Sequence, residues 1–122
     1  MIGAEPKGAD DAFRSLREGR IVPSVEPRTV ADGLLTSLGR HTFPILRRLV
    51  REIVTVEEET ILRALRLIWT RMKIVVEPSA AVAFAAALER PDLFAGKRVG
   101  VILSGGNVDP DRLPDLGFGG GG

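Results

Sequence analysis

The sequence predicts an α/β fold: an open layer of parallel strands flanked by helices. Strand-like and helical stretches alternate along the chain, and the strand-like ones are apolar runs without the period-two alternation of a sheet wetted on one face. Residues 2–5 (IGAE) read as a buried strand with only Met1 ahead of it, so the chain is expected to begin in mid-fold. Pro6, Lys7 and Gly8 have turn chemistry. Residues 9–19 read as a helix whose Asp10 and Asp11 suit its positive N-terminal end and whose stop is Gly19. Pro23 and Pro27 exclude regular helix from residues 21–28, an extended connection into Thr29-Val30-Ala31-Asp32-Gly33. From Phe43, the residues Ile45, Leu46, Leu49 and Val50 recur at helical spacing before the β-branched residues 53–56 (IVTV) take over as a strand. Residues 57–72 give the clearest helix: Ile61, Leu65, Ile68 and Met72 form one stripe, Leu62 and Trp69 widen it, and Glu59 precedes Arg63 by one turn. A short β-rich piece, 73–76, leads to a helix over 78–89 with Pro78 in its first turn; residues 80–88 are apolar on every side, which requires burial. Residues 98–103 (RVGVIL) read as a central strand ending at Ser104-Gly105-Gly106-Asn107. There is no internal repeat, so residues 1–116 are expected to form one unit and the glycine-rich 117–122 a flexible tail.

The composition narrows the chemistry. Lys+Arg number 17 against 16 Asp+Glu, a net charge of +1, too little for a polyanion-binding surface, so no nucleic-acid partner is expected. Arg47, Arg48, Arg51, Arg63 and Arg66 interleave with glutamates along helix faces, the pattern of a solvated surface. The absence of cysteine removes disulfides, thiolate zinc sites and cysteine nucleophiles, and the single histidine, His41, cannot form a histidine cluster. The longest apolar runs fall short of the ~20 residues of a membrane helix, and no basic-then-apolar leader opens the chain. The expectation is a cytoplasmic protein with no membrane partner, whose chemistry uses carboxylates, hydroxyls, lysines, backbone groups or a cofactor.

Four places could carry that chemistry. Ser104 to Asn107 lie at the carboxyl end of an apolar strand, where open α/β sheets bind ligands and glycines let backbone approach closely; the same residues also suit an ordinary strand-to-loop turn. The GxGxxG and GxxxxGK[ST] phosphate fingerprints are absent. Glu5, Asp10 and Asp11 straddle a strand end and a helix start. With turn carbonyls they can make an oxygen site for Mg²⁺ or Ca²⁺, or Asp10 or Asp11 can cap the helix. Glu77, next to Val75 and Val76, is either functional or satisfied by a hydrogen bond. Asp32 reads as a site residue or a cap, and Gly33 as a turn or a point of close backbone approach.

Six blocks, in order, resemble one family. They are Glu5-Pro6 with Gly8-Ala9-Asp10-Asp11-Ala12, then Thr29-Val30-Ala31-Asp32-Gly33-Leu34, Thr42-Phe43-Pro44-Ile45, Ile53-Val54-Thr55-Val56, Val76-Glu77-Pro78-Ser79, and Val101-Ile102-Leu103-Ser104-Gly105-Gly106-Asn107-Val108. Together they resemble the carboxyl-terminal part of the threonine/serine dehydratases and serine racemases, pyridoxal 5′-phosphate enzymes of the tryptophan synthase β-like fold (fold type II). The resemblance implies that the chain is a partial open parallel-sheet layer of that fold. It implies that Ser104 hydrogen-bonds the pyridine nitrogen of the cofactor, that Gly33 and Gly105 allow close backbone approach, and that Glu77 lies near the ring. It further implies a divalent-cation site, with Mg²⁺ as occupant, formed by the carboxylates of Glu5 and Asp11 and the carbonyl of Ala9. A neutral hydroxyl at the pyridine nitrogen suits β-elimination, because it leaves the ring a weaker electron sink than a carboxylate partner does.

Two departures accompany the match. Ala80 stands where the family commonly has glycine. The Schiff-base lysine, the substrate-carboxylate loop and the phosphate loop lie in the amino-terminal half of complete relatives, and none of Lys7, Lys73 and Lys97 has the lysine's sequence context. The expected function is therefore that of a carboxyl-terminal fragment of a threonine/serine ammonia-lyase, inactive alone and completed by the amino-terminal half or a partner chain. The substrate is L-threonine or L-serine, and the complete enzyme is a homo-oligomer. The alternatives are a non-catalytic binding or assembly subunit of a split enzyme, and a serine racemase fragment.

Overall fold

The computed structural model describes residues 1–118. Strand β1 (Ile2–Pro6) leads through a single 3₁₀ turn (Lys7–Ala9) into helix α1 (Asp11–Glu18), which ends where Gly19 adopts φ +71°. The 3₁₀ turn delays the start of α1 by two residues relative to the sequence expectation. The proline-containing connection is irregular apart from a second 3₁₀ turn (Asp32–Leu34), and helix α2 (Thr42–Leu49) then delivers strand β2 (Glu52–Val56). The two strands are parallel, with Ile2 opposite Glu52 and Pro6 opposite Val56. Parallel neighbours need a long crossover, which α1 and α2 provide.

Val54 and Val56 share one face of β2 by the two-residue period and are buried. They join a core with Ile61, Ala64 and Leu65 of helix α3 (Glu58–Leu67) and Ala81 and Ala85 of helix α4 (Pro78–Glu89). Alanine on both helices lets α3 and α4 approach closely, and α4 lies against both strands. As the all-round apolar sequence requires, α4 is the buried helix. A short helix α5 (Pro91–Phe94), not expected from sequence, follows it.

Three segments differ from expectation. The long helix does not stay α-helical to Met72: it passes at Ile68–Met72 into a π-helical turn, closed by Lys73 at φ 60°. Residues 73–76 and 98–103 form no strand, and the described sheet has two members, β1 and β2. Strand structure requires a partner. The carbonyl of Val76 instead accepts from the Trp69 indole N–H (2.8 Å), and the bond from Glu77 N–H to Gly105 O (3.0 Å) ties the two segments at one point. Val99, Val101 and Ile102 remain 45%, 38% and 75% exposed.

Of the expected tail, Gly117 and Phe118 belong to a π-type turn (Pro114–Phe118), and the Phe118 ring lies 4.7 Å from that of Trp69. Residues 119–122 lie outside the described residues. No described helix is long and apolar enough to cross a membrane.

Candidate functional site

The first candidate cluster forms where β1 meets α1. The Glu5 carboxylate reaches back over the helix start and accepts from the N–H groups of Ala12 (3.0 Å) and Phe13 (2.9 Å). Those donors have no partner inside the helix, so Glu5 caps α1 from the preceding strand. The sequence assigned that task to Asp10 or Asp11, but Asp10 makes no cap bond and instead pairs with Arg14 (2.9 Å). Asp11 is 3% exposed, and its Oδ2 accepts from Leu38 N–H (3.1 Å), tying the connection before α2 to the start of α1.

Glu5 is 8% exposed, and burial pushes its carboxyl up to about 7. The bonds from Phe13 and Ala12 oppose that rise, and the negative charges of Asp11 and Asp10 add to it. Among the described residues neither Glu5 nor Asp11 enters an ion pair, and Ala9 is buried beside them. Glu5 and Asp11 are thus buried carboxylates without a cationic side chain, oxygen donors of the kind that hard divalent cations take. Among the described residues no group of three or more acidic, histidine or cysteine side chains is placed to hold a metal ion.

The second cluster surrounds the start of α4. Pro78 takes the first helical position, where its missing N–H costs nothing, and Glu77 precedes it with extended backbone. Glu77 N–H donates to Gly105 O, and a Cβ built on Gly105 would run into the Glu77 carboxylate; glycine is what allows these two to touch. Gly33 N–H donates to Ser79 Oγ (3.0 Å), and a Cβ on Gly33 would come within 2.9 Å of that oxygen. Gly33 thus lies in close contact with α4.

At the start of α4 Glu77 contacts Gly105 and Ser79 contacts Gly33; the sequence alone did not single out Ser79. A hydroxyl just inside a proline-initiated helix was the available signal. Ser104 is exposed and lies with Ser79, Leu34 and Ala80 along a cleft of about 590 Å³ that continues between β1 and residues 98–102. Ala80 is 2% exposed, so the methyl that departs from the family pattern is packed. Asp32 lies outside the cluster, 4.0 Å from Arg112 in an exposed pair.

An exposed hydroxyl on a cleft, with a carboxylate held at the adjacent glycine, fits a small heterocyclic cofactor. Comparison with known proteins agrees. Residues 1–105 match the family described as pyridoxal-phosphate dependent enzyme. The chain is 51% identical to a beta-hydroxyaspartate dehydratase of Paracoccus denitrificans (93% of this chain, 36% of that protein) and 47% identical to a serine racemase of Dictyostelium discoideum (95% and 37%). The crystal structure of a T.th. threonine deaminase superposes with a TM-score of 0.84 at 52% identity, over 88% of this chain and 35% of that one. The chain thus spans little more than a third of the length of these relatives. With the family's signature over most of its length and the same fold type II arrangement of strands and helices, the chain belongs to the pyridoxal-phosphate dependent enzymes.

Proposed function

We propose that the chain is the carboxyl-terminal portion of a pyridoxal 5′-phosphate-dependent ammonia-lyase that removes the β-hydroxyl of L-threonine or L-serine, releasing ammonia and a 2-oxo acid. The observation that carries this reading is that Ser104 and Ser79 line one cleft, with Ser79 bonded to Gly33 and the glycine next to Ser104, Gly105, in contact with Glu77. Bound there, the cofactor supplies the electron sink for the elimination. Ser104 holds the pyridine nitrogen through a neutral hydroxyl, which places no permanent proton or charge on the ring. Glu77, fixed through its N–H to Gly105, presents a carboxylate beside that hydroxyl's segment. Ser79 holds the Gly33 backbone in place. Glu5, Asp11 and the Ala9 carbonyl hold Mg²⁺ or a similar cation, which offsets the two buried charges and braces the turn before α1.

No lysine of this chain is placed to bind the cofactor covalently. Lys7 pairs with Glu57, Lys73 is exposed beyond the π turn, and Lys97 is engaged with Leu93 O (2.7 Å). An amino-terminal half or partner chain supplies it, and the chain alone is inactive. Relatives named as a dehydratase and a threonine deaminase favour elimination; those named serine racemase support racemization as a second reading.

The test combines the chain with the lysine-bearing remainder of a relative, pyridoxal phosphate and L-serine or L-threonine. Formation of 2-oxo acid, abolished or strongly reduced by Ser104→Ala, is the expected outcome. D-serine without 2-oxo acid identifies a racemase, no product at all refutes both readings, and turnover by the chain alone with a borohydride-trapped pyridoxyl-lysine refutes the inactive-alone reading. Thermal melts with Mg²⁺ and with EDTA test the cation: wild type should shift and Asp11→Asn should not.

A further inference from the structure

Residues 73–77, which carry Glu77 to the start of α4, belong to neither helix nor strand. Contacts from elsewhere in the chain must therefore fix the Glu77 carboxylate. We infer that Trp69 is a positioning residue for Glu77: its indole holds the carbonyl of Val76, the preceding residue, and so keeps the carboxylate against Gly105, next to Ser104. The use of that placement at a cofactor rests on the function proposed above; the placement itself does not.

The indole N–H donates to Val76 O (2.8 Å), and Val76 is 4% exposed. Among the described residues Ile74, Val75 and Val76 make no other hydrogen bond through their backbone. The neighbouring groups meet the Gly105–Gly106 backbone instead. Glu77 N–H donates to Gly105 O (3.0 Å), and a Cβ built on Gly106 would come within 2.8 Å of Val75 O. Two sets of contacts thus hold the segment, one from the glycines and one from the indole. Removing the indole donor leaves a buried carbonyl unpaired, a cost the segment escapes only by moving toward water.

The indole is itself held. It belongs to the π-helical turn Ile68–Met72, which Lys73 closes with its N–H on Trp69 O (3.2 Å). Such turns recur at functional sites, where the extra residue redirects a side chain. The indole ring packs on Phe118, with 4.7 Å between centroids and 36° between planes. Tryptophan suits the position because it combines a broad apolar face for that ring with a donor for Val76. Phe118 ends the turn Pro114–Phe118, which is anchored by buried Leu116 and by the Arg66 guanidinium donating to Gly117 O (2.7 Å). A continuous line of contacts therefore runs from this turn through Trp69 and Val76 to Glu77 and Gly105.

The experiment reads amide hydrogen exchange on this chain without cofactor. Trp69→Phe keeps a ring against Phe118 but removes the donor. It should speed exchange at Glu77 N–H about tenfold while Leu65 in α3 and Ala85 in α4 stay unchanged. Thr70→Ala, on an exposed position of the same turn, should change none of the three. Unchanged exchange at Glu77 in Trp69→Phe overturns the inference, as does a rise of the same size in Thr70→Ala. If Trp69→Phe loosens all three amides alike, Phe118→Ala decides: faster exchange at Glu77 alone supports the inference, and any other result overturns it. Trp69 is the one tryptophan of a chain without tyrosine, so its emission, shifted to longer wavelength in Phe118→Ala, verifies that the ring contact was broken. In the enzyme reconstituted with the lysine-bearing remainder of a relative, Trp69→Phe should shift the cofactor absorbance and add nothing in a Glu77→Gln background; an additive effect marks a merely structural residue and overturns the inference. A wild-type enzyme that yields no 2-oxo acid refutes the proposed reaction alone, because the exchange result needs neither cofactor nor turnover.

Discussion

At the residue scale, Glu5 has two functions that pull its protonation in opposite directions. Capping α1 favours the charged carboxylate, while burial favours the neutral acid, and burial prevails, with a value of about 7 against an ordinary 4.5. Between these values the folded chain holds a proton that the unfolded chain has released, so without a cation unfolding free energy falls as pH rises from about 4.5 through about 7. The slope contributed approaches ~1.4 kcal/mol per pH unit. Urea titrations in EDTA should show this slope, and Glu5→Gln should flatten it. Two glycines separate structural from site constraints. A Cβ on Gly8 would strike the backbone carbonyl of Arg28, whose own N–H donates to Gly8 O (2.9 Å), so Gly8→Ala should cost about 3 kcal/mol in a chemical denaturation curve. A Cβ on Gly105 meets only the movable end of Glu77, so Gly105→Ala should cost under about 1 kcal/mol. In the reconstituted enzyme it should still shift the cofactor absorbance, by displacing that carboxylate.

At the element scale, the helices were the most legible part of the sequence. Pro78 marked the start of α4, and residues 78–89 are helical as the all-round apolar run required. The stripe of α3 correctly named Ile61, Leu65 and Ile68 as core, but it also predicted regular helix to Met72. Periodicity does not register one extra residue per turn, and the π turn keeps Ile68 and Trp69 facing the core before the chain reverses. The reversal holds Lys73 left-handed, a conformation costing roughly 1–2 kcal/mol for a residue with a Cβ. Lys73→Gly should therefore be neutral or raise the melting temperature despite its greater freedom when unfolded. The close α3–α4 contact predicts the opposite for Ala85→Leu. At 0% exposure the added atoms have no space, and a loss of about 1–3 kcal/mol should appear in the denaturation midpoint.

At the scale of the whole molecule, exposed apolar groups are concentrated where the described fold stops making partners. Val75, Val101 and Ile102 are exposed around the cleft and its neighbouring segments, while the interior of α3 and α4 is fully packed. The chain alone should bind a hydrophobic dye such as ANS and associate as concentration rises. The sequence by itself determined the parallel α/β class, the buried helix and the family's ordered blocks, and it offered Ser104, Gly33, Glu77, Glu5 and Asp11 as candidates, because periodicity and residue chemistry are local properties of the chain. Tertiary structure alone decided that Glu5 rather than Asp10 caps α1, that Ser79 joins Gly33 to α4, and that residues 98–103 do not become a strand. Each of those outcomes depends on a partner distant in sequence: a carboxylate from a strand, a hydroxyl on a helix, and a neighbouring backbone without which a strand sequence has nothing to bond.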